Sequence, residues 1–439
     1  MPNKAPGSLG FPLTGSAVMF RSDPIRFIQK HVSKHGDVSR VRLGPYHYHI
    51  INSPELVKQV LRDRHIFTKE TRSIDLTKLI CGENLITSES DIWHRKRKLI
   101  QPAFHRKQIH NLVSHIVKCG HETVERWTTK KSVNLTTESL DITFDIVTNC
   151  LFSGDVGGEK KSLQNAIDEV LETTSKRIAT IIPPVLPTPR NRRFTRAKSY
   201  LYETVGDIVE QRLVDANLME NSSKADLLSL LTLKDPDGQF DKNEIIEESL
   251  TFLMAGHETS ANALCWTLFF LSRHPEIQDE VSQEVNSLSE EAYTLENLAY
   301  TTAVVKEAMR LRPPIWIMER HVTEETEIGG FQIPSNSSVV LPIYTIHRHP
   351  EHWDDPDVFN PKRFLSNTDN PAYIPFGAGA RSCIGSHLAM LETAILTAML
   401  IKKLKLSVNR DKSVKLEPGL TLRPAESVHI DLCVRQPQD

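Results

Sequence analysis

Apolar positions along this chain recur mostly at the three- and four-residue spacing that places them on one face of a helix. From Asp91 to about Leu311 that spacing dominates. It predicts helices over 91–104 (DIWHRKRKLIQPAF), 110–127, 141–152 and 198–217, and a long one over Glu247–Arg273. A shorter helix is expected from Pro54, where PELVKQVLRD carries the same spacing. Ile181 to Arg193 (IIPPVLPTPRNRR) reads as a loop, because its prolines interrupt helical bonding. Period-two patterning is rarer. RVRL and HYHIIN read as strands over Arg40–Leu43 and His47–Asn52, joined by a Gly44-Pro45 turn. A second β-rich stretch follows Arg312 (GGFQIPSNSSVVLPIYTI), then a Pro-rich loop from His349 to Ala378. One further helix, Gly385 to about Leu404, leads to short terminal strands. The pattern predicts a mainly α chain with a minor β region assembled from both chain ends. With no repeat and no long linker, residues 1–439 are expected to form a single domain.

Composition narrows the classes. Apolar residues are 39% and charged residues 25% of 439, an ordinary balance with ample material for a large core. A net charge of −2 argues against a nucleic-acid binder. The first thirty residues contain no apolar run near the roughly 20 residues of a membrane span, and no secretory leader pattern. No transmembrane anchor is expected. The six cysteines lie far apart without CxxC pairs, which predicts a reducing, cytoplasmic setting and no zinc framework.

The chemistry concentrates in a few places. Phe376 to Gly385 reads FGAGARSCIG, a lone Cys383 in a loop with Gly377, Gly379 and Gly385, just before a helix. Glycines let backbone approach a flat ligand. A helix start and Arg381 both favour a thiolate, which suits the axial position of a haem iron. A buried structural cysteine is the bland alternative. The long helix is apolar at its ends but polar at its centre, AGHETS over 255–260. There Thr259 could simply bond back to the carbonyl four residues earlier. Glu307 and Arg310 share a helix face, as do Trp93 and Arg97. Either pair alone would be unremarkable on a solvated surface.

Together these segments resemble the cytochrome P450 haem-thiolate monooxygenases, over essentially the whole chain. The family's FxxGxRxCxG is complete at Phe376, Gly379, Arg381, Cys383 and Gly385. Its (A/G)Gx(D/E)T is complete at Ala255, Gly256, Glu258 and Thr259, with His257 at the variable position, read as a structural or surface residue. The resemblance implies haem b (iron protoporphyrin IX), with Cys383 as iron ligand, and a groove beside the iron at Ala255 and Gly256. Gly377 belongs to the same haem-binding loop. It implies proton delivery to dioxygen through Glu258 and Thr259, and propionate contacts from Trp93, Arg97, Arg320 and Arg381. Glu307, Arg310 and Arg363 match the family's structural triad; Lys362 stands where a Glu is usual. No fused reductase domain is expected, so electrons would come from a ferredoxin or flavodoxin with its reductase. Arg95, Lys96, Lys98, Arg106 and Lys107 suggest a basic docking face for it. The implied reaction inserts one oxygen atom into an apolar small molecule: a fatty acid, terpenoid or polyketide. Phe252, Leu253, Ile315, Trp316, Met318, Leu420 and Thr421 are candidate pocket residues. Rival readings are a peroxide-driven or rearranging relative, which usually lacks the acid–alcohol pair, and a haem sensor or electron carrier without catalysis.

Overall fold

The computed structural model describes residues 3–154, 156–178, 186–218, 226–232, 239–366, 369–408 and 413–436. Two compact units emerge. One comprises Met1–Leu76, Met309–Phe359 and Asn367–Cys383; the other comprises Thr77–Ala308, Asn360–Ser366 and Ile384–Asp439.

The first unit is organised by a six-stranded sheet. Its order is Gly7–Ser8, Val38–Leu43, Tyr46–Ile51, Ser338–Leu341, Met318–Val322 and Phe67–Thr68. The two strands expected around Gly44 form an antiparallel hairpin, with Val38 opposite Ile51 and Leu43 opposite Tyr46. Gly44 takes a left-handed conformation at the turn, which a glycine adopts without strain. Tyr46–Ile51 then runs parallel to Ser338–Leu341, so residues 290 positions apart share one ladder. Flanking helices start where caps require it. Asp23 accepts the Arg26 N–H at 3.0 Å to open Pro24–His35, and Ser53 caps Pro54–Arg62.

The second unit is helical around Lys242–Arg273, a 32-residue helix opened by a capping box. Asp241 accepts from the Glu244 N–H at 2.9 Å while Glu244 accepts from the Asp241 N–H at 3.1 Å. Most of this helix is buried, including polar residues at its centre such as His257 and Ser260. Leu135–Phe152 packs along it, and Arg106–Thr128 packs on Ser386–Lys403. The terminal strands Leu404–Ser407 and His429–Val434 pair with each other, and the latter with Ser132–Asn134.

Two element boundaries differ from expectation. The segment 91–104 is α-helical only over Ser90–Ile100 and tightens to a 3-10 turn at Gln101–Phe104, where Pro102 removes a donor. The loop expected through Arg193 ends earlier, because Pro189 begins a helix to Leu218. Proline at the first helical turn forfeits no bond, so that proline starts a helix. The expected loop's residues 181–185 lie outside the described residues.

Candidate active site

In the first unit the Cys383 loop is closed by its own backbone, the Cys383 N–H donating to the Phe376 carbonyl at 2.9 Å. Gly377 and Gly379 are left-handed, at φ +69° and +71°. A Cβ on Gly379 would come within 2.5 Å of the Leu61 carbonyl oxygen, so only glycine fits. Cys383 is exposed, whereas Cys81, Cys119, Cys150 and Cys265 are buried. Phe376, Gly377 and Arg381 are half-buried. Arg320 is buried on Met318–Val322, where it donates to the Glu319 carbonyl at 2.7 Å.

Arg310 is fully buried on the Ala299–Leu311 helix. Its guanidinium donates to the carbonyls of His347, Pro356 and Val358 at 2.9, 2.6 and 3.1 Å, and lies 4.9 Å from the Trp353 ring. It therefore holds the 347–358 segment by its backbone. His347 completes the clamp, accepting the Ile374 N–H at 3.0 Å. Burial lowers the His347 pKa to about 3, so it is neutral. None of these backbone acceptors was legible in the ExxR spacing.

In the second unit Glu307, equally buried, accepts the Asn360 N–H at 2.9 Å and faces the Arg363 Nε at 3.3 Å. Lys362 points away, its ammonium 3.2 Å from Glu280 at the surface.

The long helix has one half-exposed stripe at mid-length: Phe252, Ala255, Gly256 and Thr259, at the spacing of a single face. Leu253, Met254, His257 and Ser260 around it are buried. Gly256 admits the neighbouring helix, since a Cβ there would meet the Val147 side chain at 3.2 Å. His257 is a core residue. Its Nε2 faces the Leu140 carbonyl at 3.1 Å, and burial lowers its pKa to about 4.

The Thr259 hydroxyl donates to the Ala255 carbonyl at 2.7 Å, the back-bond expected of a mid-helix threonine, and its lone pairs remain to accept. Glu258 turns to the chain's tail. It accepts from the Thr421 hydroxyl at 2.9 Å, and Thr421 accepts from Asn262 at 3.0 Å. The Arg423 guanidinium lies 3.9 Å from Glu258 and is bonded at 3.0 Å to Glu417. Burial raises the Glu258 pKa, the Thr421 bond and Arg423 oppose that shift, and Asp168 and Glu417 reinforce it. The Asn262–Thr421–Glu258–Arg423 chain was not visible in the sequence, where 160 positions separate its halves.

The candidate pocket positions differ in exposure. Leu253 is fully buried because it stands about 100° round the helix from Phe252, off the half-exposed stripe. Trp316 and Thr421 are buried too, and the Thr421 hydroxyl is committed to Glu258. Phe252, Ile315, Met318 and Leu420 keep free surface. Phe252 also contacts Phe104 at 5.4 Å between ring centroids.

The basic face is smaller than expected. On Ser90–Ile100, Trp93 is buried and Arg97 half-buried, four residues apart. Lys96 is buried as well, its ammonium 3.0 Å from Glu248, because its position falls on the inward face. Arg95 pairs with Glu244. Lys98, Arg106 and Lys107 are the exposed members.

The residues present fit a haem. An exposed thiol sits in a loop held by left-handed glycines, with a buried arginine in the same unit. The long helix leaves a narrow uncovered stripe within a buried run, which a flat apolar ligand would cover.

Comparison with known proteins agrees. The cytochrome P450 family model matches residues 5–430. Cyclooctatin synthase of Streptomyces melanosporofaciens is 31% identical over 95% of this chain and 93% of that protein. Pentalenene oxygenase of Streptomyces avermitilis is 29% identical over 99% and 97%. Retinoic acid-bound cyanobacterial CYP120A1 has the same fold, with a TM-score of 0.87 over 99% of this chain and all of that one, at 24% identity. Among the described residues, no helix is long and apolar enough to cross a membrane. The chain thus belongs to the cytochrome P450 family and is a monooxygenase of that family.

Proposed function

We propose that this enzyme binds haem b through Cys383 and inserts one oxygen atom of dioxygen into an apolar, terpenoid-like small molecule in the cytoplasm. The observation that carries this reading is the exposed Cys383 thiol in its glycine-held loop. When bound, the haem supplies dioxygen activation, with the thiolate donating electron density to iron. Everything else falls to the chain. Arg320, Arg381, Trp93 and Arg97 are assigned to the propionates, whose charges need partners when removed from water. Ala255 and Gly256 keep their helix face thin. Thr259 holds a proton at its hydroxyl, parked on the Ala255 carbonyl, and must release that bond to donate elsewhere. Glu258 is assigned to re-supply it, a role supported by a pKa that burial raises and that Thr421 and Arg423 temper.

The substrate class rests on two supports. Phe252, Ile315, Met318 and Leu420 offer apolar surface without a charge to anchor a carboxylate. Relatives are named cyclooctatin synthase, cyclooctat-9-en-7-ol 5-monooxygenase and pentalenene oxygenase. Electrons are assigned to a separate ferredoxin or flavodoxin, supported by the exposed Lys98, Arg106 and Lys107. The test is a spectral titration of the haem-loaded enzyme against cyclic terpenes, fatty acids and polyketides. A saturable Soret shift with cyclic terpenes, and product oxygen labelled from heavy dioxygen, is expected. Saturation by fatty acids alone would overturn the substrate class. A Cys383→Ala variant that kept the thiolate-type ferrous–CO band would overturn the ligand assignment.

A further inference from the structure

A second cluster of ligating side chains lies in the first unit, away from the Cys383 loop in sequence. His349, Glu351 and His352 (HPEH) sit in one tight turn, with the His352 and Trp353 N–H groups both donating to the His349 carbonyl at 3.0 and 3.1 Å. One ligand atom from each of the three comes within 4.8 Å of the others. His349 is buried, His352 half-buried and Glu351 exposed, so the cluster has a rigid floor and an open side.

The surroundings orient both imidazoles. His349 Nδ1 accepts the Glu351 N–H at a long 3.3 Å, so in the neutral ring the proton is on Nε2, which faces Asp37 Oδ2 at 3.3 Å. Asp37 is itself fixed by the Asn52 amide at 2.9 Å. His352 Nε2 faces Glu55 Oε1 at 3.6 Å. Each ring therefore has a carboxylate against one nitrogen, leaving the other as lone-pair donor. That carboxylate–imidazole arrangement is how proteins orient metal-binding histidines. Among the described residues, no lysine or arginine ion pair is formed with Asp37, Glu55 or Glu351. Three carboxylates thus meet two imidazole rings in one place.

We propose that His349, Glu351 and His352 form a surface site for one borderline divalent transition-metal ion, with Asp37 and Glu55 as orienting carboxylates. Two imidazoles and one carboxylate suit zinc, nickel or copper over calcium or magnesium, which favour oxygen-only shells. Water completes the shell on the open side. The metal replaces only the long Glu351 N–H contact to His349. Its role is structural: it fixes the turn next to His347, whose carbonyl Arg310 holds.

The test uses the haem-loaded full chain, produced without a polyhistidine tag and freed of metal by a chelator. Zinc is titrated calorimetrically, and thermal unfolding is followed with and without it. One equivalent should bind at micromolar affinity or tighter and raise the Tm. Glu351→Ala with His352→Ala should weaken zinc binding by at least about tenfold and remove the Tm shift. Glu351→Gln, at an exposed position, tests the same site without threatening the fold and should also weaken zinc. Absence of saturable binding, or equal binding by wild type and both variants, would overturn the proposal. Magnesium serves as the hard-ion control; magnesium matching zinc would overturn the assignment of ion class.

Discussion

At the scale of single residues, the site's behaviour turns on protons held where water is scarce. Thr259→Ala removes the only side-chain hydroxyl of the half-exposed stripe but leaves Phe252 and Ala255 in place. Substrate affinity should change little, while product formed per donor oxidised should fall several-fold; unchanged coupling would remove Thr259 from the relay. Arg423→Gln removes a cation that opposes the raised Glu258 pKa. The acidic limb of the coupling–pH profile should therefore move to higher pH, and a superimposable profile would show that Arg423 does not act on Glu258. Glu392 offers a stability test. Burial raises its pKa from 4.5 to about 8, opposed by the Ser260 hydroxyl at 3.2 Å. The folded chain thus holds a proton that the unfolded chain has released, so Glu392 makes stability fall as pH rises from 4.5 towards 8. The slope is about 1.4 kcal/mol per pH unit within that window. Glu392→Gln should flatten that part of the stability–pH curve in denaturant titrations. A variant curve parallel to wild type would mean that Glu392 is ionised in the fold. The residue types at 258, 259 and 383 were legible because their motifs are local. Thr421, Arg423 and Asn262 were not, since their roles come from a contact between distant segments.

At the scale of elements, periodicity located the long helices well and failed where one residue changes the rule. Pro189 interrupts the helical pattern by residue type but sits at a first turn, where proline is tolerated. The hairpin around Gly44 was legible because turn and alternation agree, whereas Met318–Val322, two strands along in the same sheet, was missed; that strand follows a proline pair and alternates over only five residues. The ExxR helix shows what spacing conceals. Glu307 and Arg310 share a face, yet each serves a different backbone: Asn360 for the first, and His347, Pro356 and Val358 for the second. Arg310→Ala would strand one buried and two half-buried carbonyls, with a cost on the order of 3–5 kcal/mol. The expected phenotype is poor haem retention in freshly purified protein, seen as a low Soret-to-protein absorbance ratio. Arg310→Lys should rescue it only in part, because a point charge cannot span three acceptors in a planar fork. Full haem loading in Arg310→Ala would contradict the clamp.

At the scale of the whole molecule, charge is nearly balanced, 53 basic against 55 acidic residues, so any electrostatic steering must come from local patches. The cations of Ser90–Ile100 looked like one patch in sequence, but burial divides them. Lys96 is paired with Glu248 in the interior and Arg95 is paired with Glu244, which leaves Lys98 with Arg106 and Lys107 as the exposed group. Arg106 has only a loose contact with Glu296, 3.7 Å apart and well exposed on both sides, worth little in water. An acidic ferredoxin or flavodoxin meeting this group would gain mainly in encounter rate, and salt would screen the attraction over about 8–10 Å. Reduction measured by stopped flow should therefore slow steeply as ionic strength rises. Lys98→Glu with Lys107→Glu should slow it further at low salt and leave substrate-induced spectral shifts unchanged, because neither side chain lies on the half-exposed stripe of the long helix. Lys96→Glu must behave differently: it places a second carboxylate beside buried Glu248, so its defect should be in folding yield and not in salt dependence. If the surface pair of reversals left reduction as fast and as salt-sensitive as wild type, electron entry would have to be assigned to another face.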